Sequence, residues 1–241
     1  MFFRAHRGDV RFPENTMPAF KKAVERGFEE IETDPVVTKD GVIVLMHDRF
    51  INRTCRNADG TEIDVPVEVS ECTYEELLRY DVGISWGEEF KGTKIPMLEE
   101  LLQLLDGKGI LLDLDKKIRT DDMDPLFQLV SRYNVPIEFS CGDVARIKKV
   151  LSAMPDARIN YDGNTTEEQL REICAVVPPE QLTVWMYIDN PEFAWLTDRY
   201  KASAENCARV KKYARLGIAN IRNTYEMMDA IRFGADVIEP F

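Results

Sequence analysis

The sequence predicts an α/β fold, a TIM-type (β/α)8 barrel with a small insertion after the second strand. Three observations predict it. The chain has 241 residues, close to the roughly 250 typical of one such barrel. Short apolar runs alternate with longer amphipathic segments, the pattern of βα units around a parallel sheet. The strand-like runs number eight, the count that closes a barrel.

In order, the strands are predicted at 2–6 (FFRAH), 29–34 (EEIETD), 110–115 (ILLDLD), 136–140 (PIEFS), 157–161 (ARINY), 182–188 (LTVWMYI), 217–222 (GIANIR) and 235–239 (ADVIE). Helix signals fall between them. Thr73 with Glu76 three residues on is a capping-box pattern before Leu77 and Leu78, opening a short helix near 73–80. Asp124 before Pro125 reads as a cap with proline at the first helical position. Asn223 or Thr224 opens the last helix, and Gly234 closes it.

Two stretches break the alternation. The run VIVLMH at 42–47 follows extended sequence too closely for a parallel crossover, which needs a dozen or more residues. It is therefore predicted as the return arm of a hairpin, with Asp40-Gly41 as a two-residue turn that sets Asp34 opposite His47. Residues 48–96 contain no clear barrel strand and read as the insertion within a single domain spanning 1–241. Such a segment either shapes the mouth of a site or is a solvated excursion.

Composition narrows the class of partner. Hydrophobic residues make up 44% of the chain, enough for a sizeable core, and 31 Lys+Arg against 43 Asp+Glu give a net charge of −12. That balance works against nucleic acid and anionic membrane surfaces, both of which call for Lys and Arg. An anionic small-molecule substrate requires a local cation to offset the field of the protein. No apolar run approaches the roughly 18 residues of a membrane span, and MFFRAHRGDV does not read as a signal peptide. The five cysteines are scattered, without CxxC spacing, so a disulfide framework is not expected and a cytoplasmic setting is. The oligomeric state stays open.

The chain has two histidines, and both fall at predicted C-terminal strand ends, the face where barrel active sites lie. His6 ends the first strand and His47 ends the hairpin. A single histidine is more often structural; two converging ones suit the two halves of general acid–base catalysis. Glu32 and Asp34 lie two apart on the second strand and so share one side, and Asp113 and Asp115 repeat this on the third. Four carboxylates there form an oxygen-rich site for a hard divalent cation, Mg²⁺ or Ca²⁺, unless some merely cap loops or pair with Arg7, Lys116 or Lys117. The scarcity of His and the scattered Cys speak against zinc. Arg7 is a candidate for bidentate contact with a phosphate oxygen, or for a surface ion pair. Glu14 and Asn15 are placed to orient His6 or Arg7, or to begin the next helix. Together these groups point to a phosphodiester, with one histidine deprotonating the attacking oxygen and the other protonating the leaving alcohol. There is no GxSxG elbow to support acyl transfer.

The strings AHRGDVRFPENTMPAF and EEIETDPVVTKDGVIVLMHD resemble the glycerophosphodiester phosphodiesterase family. HRG, PENT, E-x-D, TKDG and HD occur in its order and spacing over residues 3–50, and IPMLEELL at 95–102 continues the match. The ending, GIANIRN followed by FGADVIEP, resembles the last βα unit. The resemblance implies a barrel with an inserted segment, a divalent cation, and hydrolysis of glycerophosphodiesters to glycerol 3-phosphate and an alcohol. It assigns His6 and His47 as the catalytic pair, Glu32 and Asp34 as metal ligands, and Arg7, Glu14 and Asn15 to the substrate side. Two departures stand out. The family's E-x-K on the third strand reads LLDLDKK here, which leaves Asp113 or Asp115 as third ligand. The tryptophan motif near the seventh strand reads GIANIRN, with Asn220 and Arg222 in it. Arg222 reads as a contact for a second anionic group or as structural; Trp185 and Tyr187 read as a wall for the alcohol or as core. The alternatives are a related barrel phosphodiesterase that forms a cyclic phosphate from lipid or sugar diesters, and a non-catalytic binding barrel.

Overall fold

The computed structural model describes residues 1–189 and 197–240. Eight parallel strands close into a barrel: β1 (Phe2–Ala5), β2 (Glu30–Thr33), β3 (Leu111–Leu114), β4 (Ile137–Cys141), β5 (Arg158–Tyr161), β6 (Leu182–Tyr187), β7 (Arg215–Ile221) and β8 (Val237–Pro240). Each strand pairs with the next in sequence, and β8 returns to β1 through Phe2↔Val237 and Phe3↔Ile238. All eight fall where the alternation predicts them, β7 starting two residues earlier.

Helices α1 (Met17–Glu25), α3 (Leu98–Leu105), α4 (Asp124–Val130), α5 (Val144–Ala153), α6 (Glu167–Cys174), α7 (Ala204–Val210) and α8 (Thr224–Arg232) surround the barrel. The outward residues of the strands, among them Ile31, Leu112, Phe139, Ile159, Val184 and Ile218, pack on Phe20, Leu101, Leu102, Ile147, Leu170 and Val210 in one fully buried core. At roughly 25 cal/mol per Å² of apolar surface, this layer is the main stabilising contribution. Asn223 settles the start of α8, its Oδ1 accepting from the backbone N–H of Tyr225 and Glu226 at 3.0 and 3.1 Å. Asp124 is not a cap: it is the first residue of α4, and its carboxylate pairs with Lys149 at 2.5 Å.

Between β2 and β3 the chain departs from βα alternation. Arms Pro35–Val37 and Ile43–Leu45 form an antiparallel hairpin with Pro35 opposite Leu45, one residue out of the predicted register. The loop has three residues, not two. Thr38 N donates to Val42 O, the Thr38 hydroxyl accepts from Val42 N, and Gly41 takes φ +83° at the left-handed position that such a loop requires. Asp34 therefore faces Met46, whose N–H donates to Asp34 O at 3.0 Å, and His47 falls one residue further toward the barrel mouth.

Residues 48–96 carry a short helix, α2 (Tyr74–Leu77), and a small two-stranded ladder of Arg56–Asn57 with Tyr80–Asp81. The helix is shorter than 73–80 because the chain turns into that ladder. Thr73 and Glu76 do form the capping box. The segment is not a solvated excursion: Ile51, Cys55, Val69, Leu77, Val82 and Ile95 bury themselves with Val44 and Met46 of the hairpin.

Candidate active site

The barrel interior is polar, which sets the floor of the site. Arg4 points inward from β1 and is 1% exposed. Its guanidinium meets Asp113 Oδ2 at 2.7 Å, Glu30 Oε2 at 3.0 Å, and Glu138. Arg215 closes on the other oxygen of Glu30 at 2.6 Å, and Arg158 lies 3.8 Å from Glu138. Three arginines thus face three carboxylates beneath the site. Burial disfavours charge on Arg4, but Asp113, Glu138 and Glu30 more than offset it and hold the guanidinium firmly protonated.

Above this floor lies a cavity of about 290 Å³ lined by His6, Arg7, Glu32, Asp34, His47, Asp113 and Asp115, together with Lys116, Ser140, Asn160, Asp162, Trp185, Tyr187 and Glu239. Both histidines, both carboxylate pairs and Arg7 are therefore brought to one place. Glu14 lies beside it, in a neighbouring pocket that shares His6 and Arg7.

The turn after β1 is held in unusual backbone. Arg7 and Asn15 take φ +54° and +55°, uncommon for residues with a Cβ. Strain of this kind gathers at functional sites. Asn15 N donates to Arg7 O, Asn15 Nδ2 donates to Asp34 Oδ2 at 2.8 Å, and Thr33 Oγ1 donates to Asn15 Oδ1 at 2.8 Å. With every polar atom used and 2% exposed, Asn15 does not reach the cavity; it positions Arg7 and Asp34 instead of contacting a ligand. Asn15→Ala is expected to cost about 1–3 kcal/mol of stability, read as a lower melting temperature in calorimetry. An unchanged melting temperature would remove Asn15 from this role.

Arg7 is gripped on several sides. Its backbone N–H donates to Glu32 Oε2 at 3.0 Å, Nη1 donates to Glu14 Oε1 at 3.2 Å, and Nε lies 3.2 Å from Asp34 Oδ2. Glu14 also takes Arg53 of the inserted segment at 2.6 and 3.0 Å. Burial raises the pKa of Glu14, but the hydrogen bonds from Arg53 and the charge of Arg7 reverse this and leave it below the usual carboxylate range.

The two histidines have different surroundings. His6 Nε2 lies 4.0 Å from Glu32 Oε2. Burial, then the charges of Arg7, His47, Arg4 and Lys117, push its pKa down to about 3, so it is neutral near pH 7. His47 is more open, and its Nδ1 meets Asp48 Oδ1 at 2.6 Å, while Asp48 Oδ2 pairs with Arg53. Arg53 and Asp48, which reach both His47 and Glu14, escaped the sequence reading, although the HD pair placed Asp48 in view.

The carboxylates divide. Asp113 belongs to the floor: Arg4, Ser140 and Asn160 all bond to it. Asp115 lies at the mouth, where Lys117 sits 3.4 Å from both Asp115 Oδ2 and Asp34 Oδ1. Burial raises the pKa of Glu32 well above normal, with Asp34, Glu239 and Asp115 adding to it. Burial likewise lifts Asp34, against Arg7 and Lys117. It also pushes Glu239 up to about 7, with Arg4 and Arg7 pulling the other way. An excess of hard oxygen donors that resists ionisation is the chemistry a divalent cation relieves. Among the described residues, no three His, Cys, Asp or Glu side chains are drawn together at ligating spacing; Asp34 leans on Arg7, Asn15 and Lys117, and Asp113 on Arg4. Arg222 donates to Glu226 at 2.6 Å and to Asp189 O at 3.1 Å, which favours its structural reading. Trp185 lines the cavity wall, with Arg4 Cζ 4.2 Å from its ring centroid.

A closed parallel barrel that gathers two histidines, an arginine and a set of carboxylates at the C-terminal ends of its strands defines a class of barrel proteins equipped for acid–base chemistry on an anion. Residues 6–157 match the glycerophosphoryl diester phosphodiesterase family, and the chain belongs to it. It is 42% identical over 114 residues to a glycerophosphodiester phosphodiesterase of Caldanaerobacter subterraneus, a match covering 47% of this chain and 44% of that protein. It is 44% identical over 102 residues to one from Bacillus altitudinis, covering 42% and 38%. The match thus spans less than half the length of these two relatives. Among solved structures, the fold is shared with an Oleispira antarctica phosphodiesterase in complex with sn-glycerol-3-phosphate, at TM-score 0.80, 17% identity and coverage of 100% and 92%. A glycerophosphoryl diester phosphodiesterase of Parabacteroides distasonis aligns at TM-score 0.74, 23% identity, and coverage of 99% and 82%.

Proposed function

We propose that this chain hydrolyses glycerophosphodiesters to glycerol 3-phosphate and an alcohol, with His6 and His47 as the proton-transfer pair. The observation that carries the reading is the convergence of His6, His47 and Arg7 on one cavity in a member of this family. His6, held neutral by burial, takes a proton from the attacking water. His47, oriented by its Nδ1 contact with the Asp48 carboxylate, donates a proton to the departing alkoxide. Arg7 offers its guanidinium to the phosphoryl oxygens, where charge builds in the transition state.

Glu32, Asp34 and Asp115 would hold a divalent cation, Mg²⁺ or Ca²⁺, with Asp113 kept to the floor by Arg4. When bound, the cation supplies a Lewis acid for the phosphoryl oxygens and neutralises the excess negative charge. The substrate is a small molecule. No helix among the described residues is long and apolar enough to cross a membrane, and all five cysteines are free, in keeping with a reducing, cytoplasmic setting.

The test is product analysis on glycerophosphocholine and glycerophosphoethanolamine with Mg²⁺, with Ca²⁺ or with EDTA. Release of glycerol 3-phosphate that requires the cation is expected. No turnover under either cation would overturn the substrate assignment.

A further inference from the structure

Between the hairpin after β2 and the loop after β3 lies a second cavity, of about 920 Å³. It is larger than the catalytic cavity and falls within the roughly 300–1,000 Å³ of ligand pockets. His47 lines both spaces, so they meet at the proposed proton donor. Val36 and Val37 of the hairpin form one side. Val69 and Ile118, 3% and 4% exposed, lie deeper, and Pro125 in the first turn of α4 faces them.

Both walls are fixed. Lys39 N donates to Cys72 O at 2.9 Å and ties the hairpin to the inserted segment. The buried Arg146 donates from Nη1 to Ile118 O at 2.8 Å and from Nε to Ser140 O at 2.9 Å, which pins the loop after β3 to the end of β4. A groove whose walls are already held loses little conformational freedom when it binds.

The charges around the groove are matched. Arg49 pairs with Glu68 at 2.8 Å, Asp124 with Lys149 at 2.5 Å, Lys117 with Asp115 at 3.4 Å and Arg119 with Asp122 at 3.8 Å, while Asp48 takes Arg53. Asp121 is exposed to solvent. An ionic occupant would compete with these pairs, and an apolar one would not. What the groove offers is methyl and methylene surface, which leaves water when a hydrocarbon chain covers it.

In-line displacement sets the attacking and leaving oxygens on opposite sides of phosphorus. With water at His6 and the leaving alcohol at His47, whatever that alcohol carries continues past His47, where the groove begins. The smaller pocket of Phe12, Glu14 and Trp86 borders His6 instead, on the side of the water.

We propose that this groove receives an apolar chain carried by the leaving alcohol, so that glycerol phosphate esters of alkyl alcohols are bound more tightly than those of small polar ones. The inference rests on the phosphodiesterase reading, with His47 as proton donor, and deepens it by naming the class of alcohol.

The test measures binding, not turnover, so it stands apart from the fate of the proposed reaction. Calorimetric affinities of ethyl, butyl and hexyl phosphate, equal in charge and rising in chain length, are measured with Mg²⁺. The intact chain is compared with Val36→Thr/Val37→Thr, which keeps both side chains β-branched, and with Pro125→Ser on the facing, exposed wall. The intact chain is expected to bind hexyl phosphate about 10- to 100-fold more tightly than ethyl phosphate, from about 2- to 4-fold per buried methylene. The double variant should cut that ratio at least about threefold, because a hydroxyl in the groove loses water without gaining a partner. Pro125→Ser should lower it in the same direction, and ethyl phosphate should bind all three chains alike. Equal affinities along the series in the intact chain would overturn the proposal whether or not the variants fold. A ratio unchanged in the variants would place the alkyl chain elsewhere and overturn it too. A chain-length preference that falls in the variants, without turnover of any glycerophosphodiester, would support the groove and sink the reaction.

Discussion

His47→Ala, and separately His6→Gln, is expected to lower kcat on a glycerophosphodiester by about 10²–10⁴-fold, the usual worth of one positioned proton-transfer group. The two variants should differ in their response to the leaving group. If His47 protonates the departing alcohol, His47→Ala loses least on a diester with an acidic leaving alcohol such as p-nitrophenol, which departs unprotonated. His6→Gln should be equally impaired on both, because activation of water is needed either way. Steady-state kinetics on the two diesters check this, and the reverse pattern would exchange the roles. The folded state holds His6 unprotonated down to about pH 3, whereas the unfolded chain protonates it near 6.5. The unfolded state therefore binds more protons in that window, and stability falls as pH drops from about 6.5 toward 3. His6→Gln should lessen that loss, seen as a flatter dependence of melting temperature on acid.

Arg4→Met is expected to have the largest effect on stability. It would leave Asp113, Glu30 and Glu138 facing one another in the barrel interior with Arg4 gone. Removing one partner of a buried ion pair costs about 3–5 kcal/mol, and here Asp113 loses its arginine while Glu30 and Glu138 keep only Arg215 and Arg158. At about 2–4 °C per kcal/mol for a chain of this size, the melting temperature should fall by at least about 6 °C. Asp113, no longer held down by Arg4, would be free to turn toward the mouth, so cation affinity in Arg4→Met should rise if the variant folds. Thermal unfolding with and without Mg²⁺ reads both effects. A melting temperature within a degree of the parent would mean that the network contributes nothing.

Much of this was legible in the residues. Strand alternation placed all eight barrel strands, since each is short, apolar on its outer face and bounded by turn signals. HRG and E-x-D carried His6, Arg7, Glu32 and Asp34 to one cavity. The hairpin register was not legible, because Asp-Gly fits both a two-residue turn and the last positions of a three-residue loop. The pairing of Thr38 with Val42, through the Thr38 N–H and the Thr38 hydroxyl, distinguishes them. Arg4 was missed although its parity with His6 turns it toward the barrel axis; a buried arginine becomes visible only when Glu30, Asp113 and Glu138, on three other strands, are seen to share that interior. Arg53, which joins Glu14 to Asp48, lies in a segment whose path no periodicity reveals.

The most direct test of the central claim is hydrolysis of glycerophosphocholine in ¹⁸O-enriched water with Mg²⁺, followed by ³¹P NMR and mass spectrometry of the products. Attack of water on phosphorus, aided by His6 and completed by His47, predicts glycerol 3-phosphate carrying one ¹⁸O on phosphorus and unlabelled choline. An unlabelled cyclic glycerol phosphate, or label in the choline, would contradict the account.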